Sequence, residues 1–284
     1  MKTRIISGLI GALLIILAIV LRSTVVFNIF IGLLTIIAII ESQVATKLVG
    51  NFRLIVLGCI YGLVSAFVPI FGFMPTGLLV TAIYVFASVI VVLSKSEENS
   101  VYKSVYSVGI TLLISFGMSS LVYINELSSA KSYMYSSSDS LFFLLFALGG
   151  AWFGDTGAYF IGSKFGKRKI SPVISPKKTL EGVFGSIAFI LILMLILGAI
   201  WNGAVLDSKS YMQFGWLILV SLLCPVIGLI GDLFFSYIKR SCKIKDYGKL
   251  IPGHGGILDR FDSVIFVAPF IYLILLYIPM IVHK

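Results

Sequence analysis

The amino-acid sequence predicts an all-α polytopic integral membrane protein with about nine transmembrane helices and a cytoplasmic N-terminus. Two bulk properties indicate this fold class: 59% of the 284 residues are hydrophobic and only 12% are charged, and the mean hydropathy is +1.08. A soluble domain normally carries about a quarter charged residues, so this chain has too little polar surface to cover a globule in water. The third observation is a series of long apolar runs separated by short polar segments.

These apolar runs predict the helices in chain order, because each is roughly long enough to cross about 30 Å of hydrocarbon. Pro69 and Pro225 fall inside two runs, and we expect them to kink their helices rather than to end them. The first run has no small-residue cleavage site of a signal peptide, so we expect it to be retained. The runs lie near 5–21, 25–40, 54–73, 76–93, 104–124, 141–161, 182–201, 214–238 and 262–282.

The basic residues support this topology. The net charge is +10, from 22 Lys and Arg against 12 Asp and Glu. With a cytoplasmic N-terminus, 18 basic residues fall in cytoplasmic segments and 4 outside, as the positive-inside rule requires. On a soluble protein this charge would indicate nucleic acid. Here it indicates topology, and it would attract anionic headgroups and nucleotide phosphates to the loops 164–178 and 239–260.

Polar residues are distributed unevenly along the chain. Residues 1–140 carry few charges within the apolar runs and are predicted to form scaffold helices. Residues 141–284 are predicted to form a catalytic region with two charged cytoplasmic loops. No internal repeat is evident, which disfavours an inverted-repeat transporter. Three cysteines without metal-like spacing indicate neither a disulfide framework nor a thiolate site.

The first polar constellation begins near the end of the eighth run. Asp232, Ser236 and Lys239 have the i, i+4, i+7 spacing of one helix face. A carboxylate at this depth is costly unless it faces a polar cavity or holds a cation, so Asp232 is either a cation ligand or the partner of a neighbouring lysine. The basic loop that follows includes Arg240 and Lys245, and by itself it is also typical of an ordinary cytoplasmic loop.

A glycine-rich turn follows the basic loop. The backbone of Pro252-Gly253-His254-Gly255-Gly256 can approach a ligand closely, and successive N–H groups there can form an anion-binding nest. We expect His254 to donate a hydrogen bond to a phosphate, although a lone histidine is sometimes a metal ligand.

Acidic residues flank this turn. Asp259 and Asp262 stand three apart, which predicts adjoining positions on one helical face at the start of the last run. Asp246, before the turn, is a further candidate ligand, or equally a salt-bridge partner within the loop. Carboxylates that hold Mg²⁺, cations that neutralise phosphate oxygens and backbone donors are what phosphoryl chemistry requires.

The second constellation lies at the end of the sixth run and in the loop after it. Asp155 and Tyr159 are four apart on a predicted helix face. Lys177 and Lys178 then precede the next apolar run, and a helix N-terminus with paired lysines is a candidate phosphate site. The alternative is a pair of juxtamembrane lysines that contact anionic lipid. The glycines at 154, 157, 162 and 166 indicate close helix packing, and no P-loop or Rossmann motif is present.

The pattern S-x-x-K-R-x4-K-D-x-G-x3-P-x-H-G-G-x-x-D-R-x-D resembles the signature of the phosphatidate cytidylyltransferases, the CDP-diacylglycerol synthases. The resemblance is specific over residues 150–262, where Asp155-Thr156 and Ser175-Pro176-Lys177-Lys178-Thr179 are also similar to the family. Residues 1–140 match only as hydrophobic spans. The signature is carried by Ser236, Lys239, Arg240, Lys245, Asp246, Gly248, Pro252, His254, Gly255, Gly256, Asp259, Arg260 and Asp262.

The resemblance implies a reaction of CTP with phosphatidic acid that gives CDP-diacylglycerol and pyrophosphate and requires Mg²⁺, with a second, monovalent cation as a further expectation. It implies that Asp232 and Asp259 hold the metal first, and that Asp246 and Asp262 come next. Phosphate contacts are then expected from Lys239, Arg240, Arg260, Lys177 and Lys178, and further substrate contacts from Asp155, Ser236, Lys245, His254, Gly255 and Gly256.

The expected partners are CTP, phosphatidic acid and membrane lipids, with a homodimer as a further expectation and without nucleic acid. The expected location is the cell membrane, with the active site facing the cytoplasm. Three alternatives stay open: a CTP-dependent polyprenol kinase, a cytidylyltransferase for archaeal-type lipids, and a transporter. A kinase would release CDP instead of pyrophosphate, and a transporter would move its substrate without turnover.

Overall fold

A computed structural model describes residues 2–48, 51–71, 75–94, 100–130 and 134–283. About three quarters of these residues are helical, so the predicted all-α class is confirmed. Lys95, Lys131 and Lys284, which the charge argument uses, lie outside the described residues. The helices are α1 Lys2–Val20, α2 Val25–Thr46, α3 Phe52–Ser65, α4 Pro75–Leu93, α5 Val101–Asn125, α6 Leu127–Ala130, α7 Ser137–Phe165, α8 Leu180–Ala204, α9 Phe214–Ser241, α10 Leu258–Phe261 and α11 Val264–Tyr277.

Each predicted apolar run overlaps one of these helices, although the runs 54–73 and 262–282 extend beyond the ends of α3 at Ser65 and α11 at Tyr277. Among the described residues, six helices are long and apolar enough to cross a membrane: α2, α4, α5, α7, α8 and α9. Shorter apolar helices cover Ile5–Val20, Phe52–Ser65 and Val264–Tyr277. A helix of 14 residues such as α3 rises only about 21 Å, which is less than the hydrocarbon thickness.

Pro69 and Pro225, the two prolines that were expected to kink their helices, differ in their effect. Pro225 lies inside the continuous helix α9. The expectation for Pro69 is wrong, because α3 ends at Ser65 and Pro69 lies in a 3₁₀ segment, Val68–Phe71. A proline ring removes a backbone donor and restricts the preceding residue, and here these restrictions follow the end of α3 rather than kink a continuous helix.

The chain divides into two compact units. The first comprises Met1–Val122 and Ile238–Phe261, and the second comprises Tyr123–Tyr237 and Asp262–Lys284. The division therefore falls within α5 and α9, and the signature loop after α9 belongs with the N-terminal helices. The 238–261 segment is thus grouped with the N-terminal helices, for which the sequence predicted only a scaffold role.

Within the first unit, small and polar side chains hold the helices together. Thr35 and Ile39 of α2 approach Gly62 of α3 so closely that a Cβ at Gly62 would lie 2.8 Å from the Ile39 side chain. The Gln43 amide donates to the Thr111 hydroxyl at 2.9 Å, which links α2 to α5 in a buried setting. Close approach and interhelical hydrogen bonds are the usual means of helix association in lipid.

Within the second unit, glycines allow α7 and α8 to pack closely, as the sequence predicted. A Cβ at Gly157 would lie 2.8 Å from the Gly185 carbonyl oxygen, and one at Gly154 would lie 2.9 Å from the Ser186 hydroxyl. Ser136 caps the N-terminus of α7 in a reciprocal capping box with Asp139, which satisfies backbone N–H groups at the start of the helix.

Four short strands form two antiparallel pairs, both in the second unit. Strands β1 Lys169–Ser171 and β2 Ser175–Thr179 form a hairpin between α7 and α8. Strand β3 Ser210–Met212 pairs with β4 Ile281–His283. Lys177 and Lys178, the predicted phosphate-binding lysines, lie in the second strand of the hairpin, directly before the start of α8.

Candidate active site

In the first unit, the signature loop is organised around the carboxylate of Asp259. Lys239, near the end of α9, donates from Nζ to Asp259 Oδ1 at 2.8 Å. Asp259 Oδ2 accepts from the backbone N–H groups of Tyr247 at 2.9 Å and Gly256 at 3.0 Å. The side chains of Lys239 and Asp259 are only 9% and 4% exposed, so this carboxylate joins three separate segments of the loop.

The environment of this ion pair stabilises it. The Lys239 ammonium also lies 5.4 Å from the centre of the Tyr247 ring, within the range of a cation–π contact. A buried ion pair offsets its desolvation only when further hydrogen bonds satisfy its remaining polar atoms. The two backbone donors meet that requirement for Asp259.

The glycine-rich turn has the backbone conformation that its residues predict. Gly253 and Gly255 have φ values of 79° and 90°, a region that other residues rarely adopt. The turn closes with a hydrogen bond from the Ile251 N–H to the Gly255 carbonyl at 2.9 Å. The guanidinium of Arg260 donates twice to the His254 carbonyl, from Nε at 3.0 Å and Nη2 at 2.7 Å.

The His254 ring contacts the first helix. Its Nδ1 lies 3.0 Å from the Ser7 hydroxyl oxygen, and that hydroxyl donates to the Pro252 carbonyl at 2.8 Å. Ser7 therefore fixes both the ring and the backbone of the turn. The predicted role of His254 as a phosphate donor stays a prediction.

Glu41 of α2 is a loop contact that the sequence did not indicate. Its Oε2 accepts from the Leu258 backbone N–H at 2.9 Å, at the first residue of α10. A Cβ at Gly248 or Gly256 would overlap the Glu41 carboxylate, so both signature glycines leave room for it. No local pattern identifies this residue, because its partners are more than 200 positions away in the sequence.

The other charged residues of the loop are more exposed. Arg240, Lys245 and Asp246 all lie at the surface, and the Arg240 guanidinium donates to the Ile244 carbonyl at 3.3 Å. Ser236, on the same continuous helix as Asp232, is buried. The helical spacing of Asp232, Ser236 and Lys239 is thereby confirmed, and α9 is continuous where the first and second units divide between the last two.

The prediction that Asp259 and Asp262 share one helical face is wrong. Asp259 lies in the single-turn helix α10, which ends at Phe261, and Asp262 lies in the turn before α11. Asp262 is buried, and its Oδ1 accepts from the Ser263 N–H at 2.7 Å. The break in the helix gives the two carboxylates different local environments.

In the second unit, Asp155 and Lys178 line a cavity, and Lys178 is also paired with the carboxylate of Asp232. Lys178, at the end of β2, forms a short ion pair with Asp232 Oδ2 of α9. The same ammonium lies 4.0 Å from Asp155 Oδ1 of α7. The alternative interpretation of Asp232 as the partner of a lysine thus matches this conformation, with a lysine from the other predicted loop. The side chains of Lys178 and Asp232 are 23% and 20% exposed.

The cavity has a volume of about 220 Å³, which is below the roughly 300 Å³ at which pockets for drug-sized ligands begin. It therefore suits one part of a substrate rather than a whole nucleotide. Its lining combines charged and polar groups with apolar atoms from α7, α8 and α9. Among the lining residues are Asp155, Tyr159, Lys177, Lys178, Ser186 and Leu229.

The start of α8 presents this lysine to the cavity. Thr179 caps the helix, because its hydroxyl accepts from the Gly182 N–H at 3.2 Å, as the sequence pattern before this run allows. Glu181 accepts from the backbone N–H groups of Lys167 at 3.0 Å and Arg168 at 3.2 Å. These bonds join the start of α8 to the segment before β1, and Lys177 remains exposed at the cavity.

The acidic residues differ in how well they fit a magnesium ion. Asp155 and Asp232 already flank one cation, the Lys178 ammonium, and carboxylate oxygens are ligands that Mg²⁺ prefers. Asp259 fits less well in this conformation, because three protein donors use its two oxygens. No group of three or more His, Cys, Asp or Glu side chains with metal-site geometry occurs within the described ranges.

Comparison with known proteins gives a consistent result. The model of the cytidylyltransferase family matches residues 2–278. A phosphatidate cytidylyltransferase of Staphylococcus epidermidis strain RP62A is 34% identical over 279 residues, which cover 97% of this chain and 99% of the relative. A phosphatidate cytidylyltransferase of Bacillus subtilis strain 168 is 44% identical over 135 residues, and this match spans 48% of each chain.

Proposed function

Because the chain belongs to the cytidylyltransferase family, we propose that it transfers a cytidylyl group from CTP to phosphatidic acid. The products are CDP-diacylglycerol and pyrophosphate. The observation that carries the proposal is the full-length similarity to a relative named for this activity. The signature residues of the loop after α9 and the polar cavity of the second unit supply the chemical groups that the reaction needs.

The reaction requires cations more than it requires a base. A phosphate oxygen of phosphatidic acid attacks the α-phosphorus of CTP, and the bond from that phosphorus to the β-phosphate bridging oxygen breaks. The nucleophile is already anionic near neutral pH, so no strong general base is needed. The barrier arises from the approach of two anions and from charge that develops on pyrophosphate, and both are lowered by fixed positive groups.

Lys178 is the residue best placed to bind a substrate phosphate. Its ammonium reaches a cavity and is paired with carboxylates that are themselves partly exposed. A phosphate that enters the cavity replaces a carboxylate as the anionic partner of the Lys178 ammonium. The lysine therefore keeps an anionic partner when the substrate binds. Lys177 contributes a second positive charge at the same cavity.

Magnesium is part of the proposal as the divalent cation of the reaction, and a monovalent cation stays a further prediction. Asp232 and Asp155 would hold the ion, and the ammonium group of Lys178 would then pair with the phosphates. Asp246 and Asp262 stay candidate ligands. Asp259 would bind a cation only if Lys239 and the backbone donors released its oxygens. When bound, the ion neutralises phosphate oxygens.

The signature loop has a separate role in the proposal. Arg240 and Lys245 are exposed cations that attract the triphosphate, and His254, Gly255 and Gly256 form the turn against which it binds. Arg260 stabilises the turn, because its guanidinium donates two hydrogen bonds to the His254 carbonyl. The apolar helices place the protein in a membrane, and we predict the cell membrane with the loop facing the cytoplasm. That the protein forms a homodimer stays a prediction, which a measurement of its oligomeric state would test.

One assay tests the proposed activity. Purified protein in lipid nanodiscs is incubated with Mg²⁺, phosphatidic acid and CTP labelled at the α-phosphate. We expect the label to enter the lipid fraction and unlabelled pyrophosphate to be released in equal amount. Release of labelled CDP with phosphorylation of a polyprenol would indicate a kinase instead. Transfer to an unsaturated archaeal-type ether lipid in preference to phosphatidic acid would also contradict the proposal.

A further inference from the structure

The loop around Asp259 is held from two sides by two carboxylates. From one side, Asp259 accepts hydrogen bonds from Tyr247 and Gly256. From the other side, Glu41 accepts from Leu258 at 2.9 Å. Both carboxylates contact the same two segments of the loop, residues 247–248 and 256–258. All of these groups lie within the first compact unit.

The glycines of the signature agree with this arrangement. Gly248 follows Tyr247, and Gly256 donates to Asp259. At both positions the space of a Cβ is taken by the Glu41 carboxylate. The loop therefore lies closely against the end of the Glu41 side chain, and a side chain at either position would displace that carboxylate or the loop. Gly256 in particular lies between the two carboxylates.

The position of Glu41 in the sequence makes this contact informative. It is the one charged residue of α2, where an acidic side chain has a cost unless polar partners compensate it. The Leu258 N–H is such a partner, and it is also the first donor of α10, the short helix that carries Asp259. Glu41 thus sets where α10 begins and hence where the Asp259 side chain lies.

We propose that Glu41 is a positioning residue for the signature loop, which acts through the Gly256–Asp259 segment on the carboxylate of Asp259. The proposal deepens the proposed cytidylyltransfer and rests on it for the catalytic consequence. It adds a function to the N-terminal helices, which the sequence indicated only as scaffold. Glu41 itself contacts the loop backbone and needs no contact with a substrate.

Two substitutions and one control separate this role from general stabilisation. Glu41→Leu keeps the approximate size and removes the acceptor, and Glu41→Gln keeps one acceptor oxygen. Gln43→Leu is the matched control, because Gln43 lies two residues further along α2 and loses a buried hydrogen bond to Thr111 without touching the loop. All three are made in the full chain in nanodiscs.

The first readout is independent of enzyme activity. Trypsin cleavage after the exposed residues Lys245 and Lys249 is followed by mass spectrometry at short times. We expect Glu41→Leu to raise the cleavage rate about tenfold, because cleavage follows the open population of the loop. Gln43→Leu should cleave at the wild-type rate. Wild-type cleavage in Glu41→Leu, or equal acceleration in Gln43→Leu, would overturn the proposal.

The second readout is turnover. We expect Glu41→Leu to lower kcat about 10²-fold, since a displacement of about 1 Å has an effect of this size, with KM for CTP changed much less. Glu41→Gln should recover most of the lost kcat. A Gln variant as slow as the Leu variant would show that the acceptor oxygen does not position the loop. If the wild type makes no CDP-diacylglycerol, the proposed function fails, and the cleavage result still decides the role of Glu41.

Discussion

The signature loop and the cavity of the second unit use the same residue types in opposite ways. In the loop, Lys239 and Asp259 are almost fully buried, and backbone N–H groups complete the coordination of the carboxylate. At the cavity, Lys178 and Asp232 are partly exposed, and the lysine lies near a second carboxylate, Asp155. The two Asp–Lys pairs therefore have different roles in the protein, although they consist of the same residue types. Burial makes the first pair a fixed element of structure, and access to a cavity makes the second an exchangeable one.

The difference follows from the number of partners available to each ion. A buried ion pair with all oxygens satisfied is costly to open, because each separated charge would stay desolvated. A partly exposed pair is screened by water, and its partners can be replaced at small cost. We therefore expect substitutions in the loop to affect stability and activity together, and substitutions at the cavity to affect mainly activity.

The largest expected effect is that of Asp259→Asn. The substitution leaves the Lys239 ammonium buried without its anionic partner, so we expect the free energy of unfolding to fall by about 3–5 kcal/mol. CDP-diacylglycerol formation should fall at least about 10³-fold. Thermal unfolding in nanodiscs and the labelled-CTP assay measure the two effects.

A double substitution sharpens this prediction. Lys239→Met alone should destabilise the protein, and the pair Lys239→Met with Asp259→Asn should be less destabilised than the sum of the single changes. Simple additivity would contradict the view that the two side chains form one buried unit.

Lys178→Met should separate activity from stability. We expect turnover to fall about 10²-fold, because a fixed positive charge that contacts a reacting phosphate contributes on this scale. The unfolding temperature should fall less than in Asp259→Asn, since the Lys178–Asp232 pair is more exposed than the Lys239–Asp259 pair. Initial rates over a range of CTP and phosphatidic acid concentrations give the measurement.

Lys209→Met is the matched control, because Lys209 is an exposed lysine of the same unit outside the cavity. Equal loss of activity in both variants would indicate a general effect of charge and would remove the distinction between the two regions.

The smallest expected effect concerns the glycine turn. Gly255→Ala places a Cβ at φ 90°, and we expect it to lower the free energy of unfolding by about 1–2 kcal/mol. Gly203→Ala is its control, because Gly203 lies in α8 with open space around it and alanine favours a helix by about 1 kcal/mol. Denaturation curves that show equal effects for the two variants would contradict the assignment of backbone strain to the turn.

Several features were readable from the sequence because they depend on local chemistry. The apolar runs predicted the helices, since hydrophobic length alone decides whether a segment can be buried in lipid. The spacing of Asp232, Ser236 and Lys239 predicted one helix face, and α9 is continuous through all three. The glycine turn was recognisable because Gly253 and Gly255 adopt backbone conformations that other residues avoid.

Features that depend on where the helix breaks were not readable in the same way. The three-residue spacing of Asp259 and Asp262 is equally compatible with one helix and with a break between them, and α10 ends before Asp262. Pro69 gave a similar ambiguity, because a proline in an apolar run is compatible with both a kink and a helix end. In each case the hydrophobic pattern continues across the break.

The sequence by itself determined that this chain is a helical membrane protein, and it predicted that the chemistry lies in two charged segments, because hydrophobic runs and the signature residues are local properties. Only the tertiary structure decided how those charges are paired. It joined Lys178 to Asp232 and Lys239 to Asp259, and it brought Glu41 to Leu258 across 217 positions. The physical reason is that an ion pair or a buried hydrogen bond is defined by distance and desolvation, which depend on how the helices pack and not on the order of the residues.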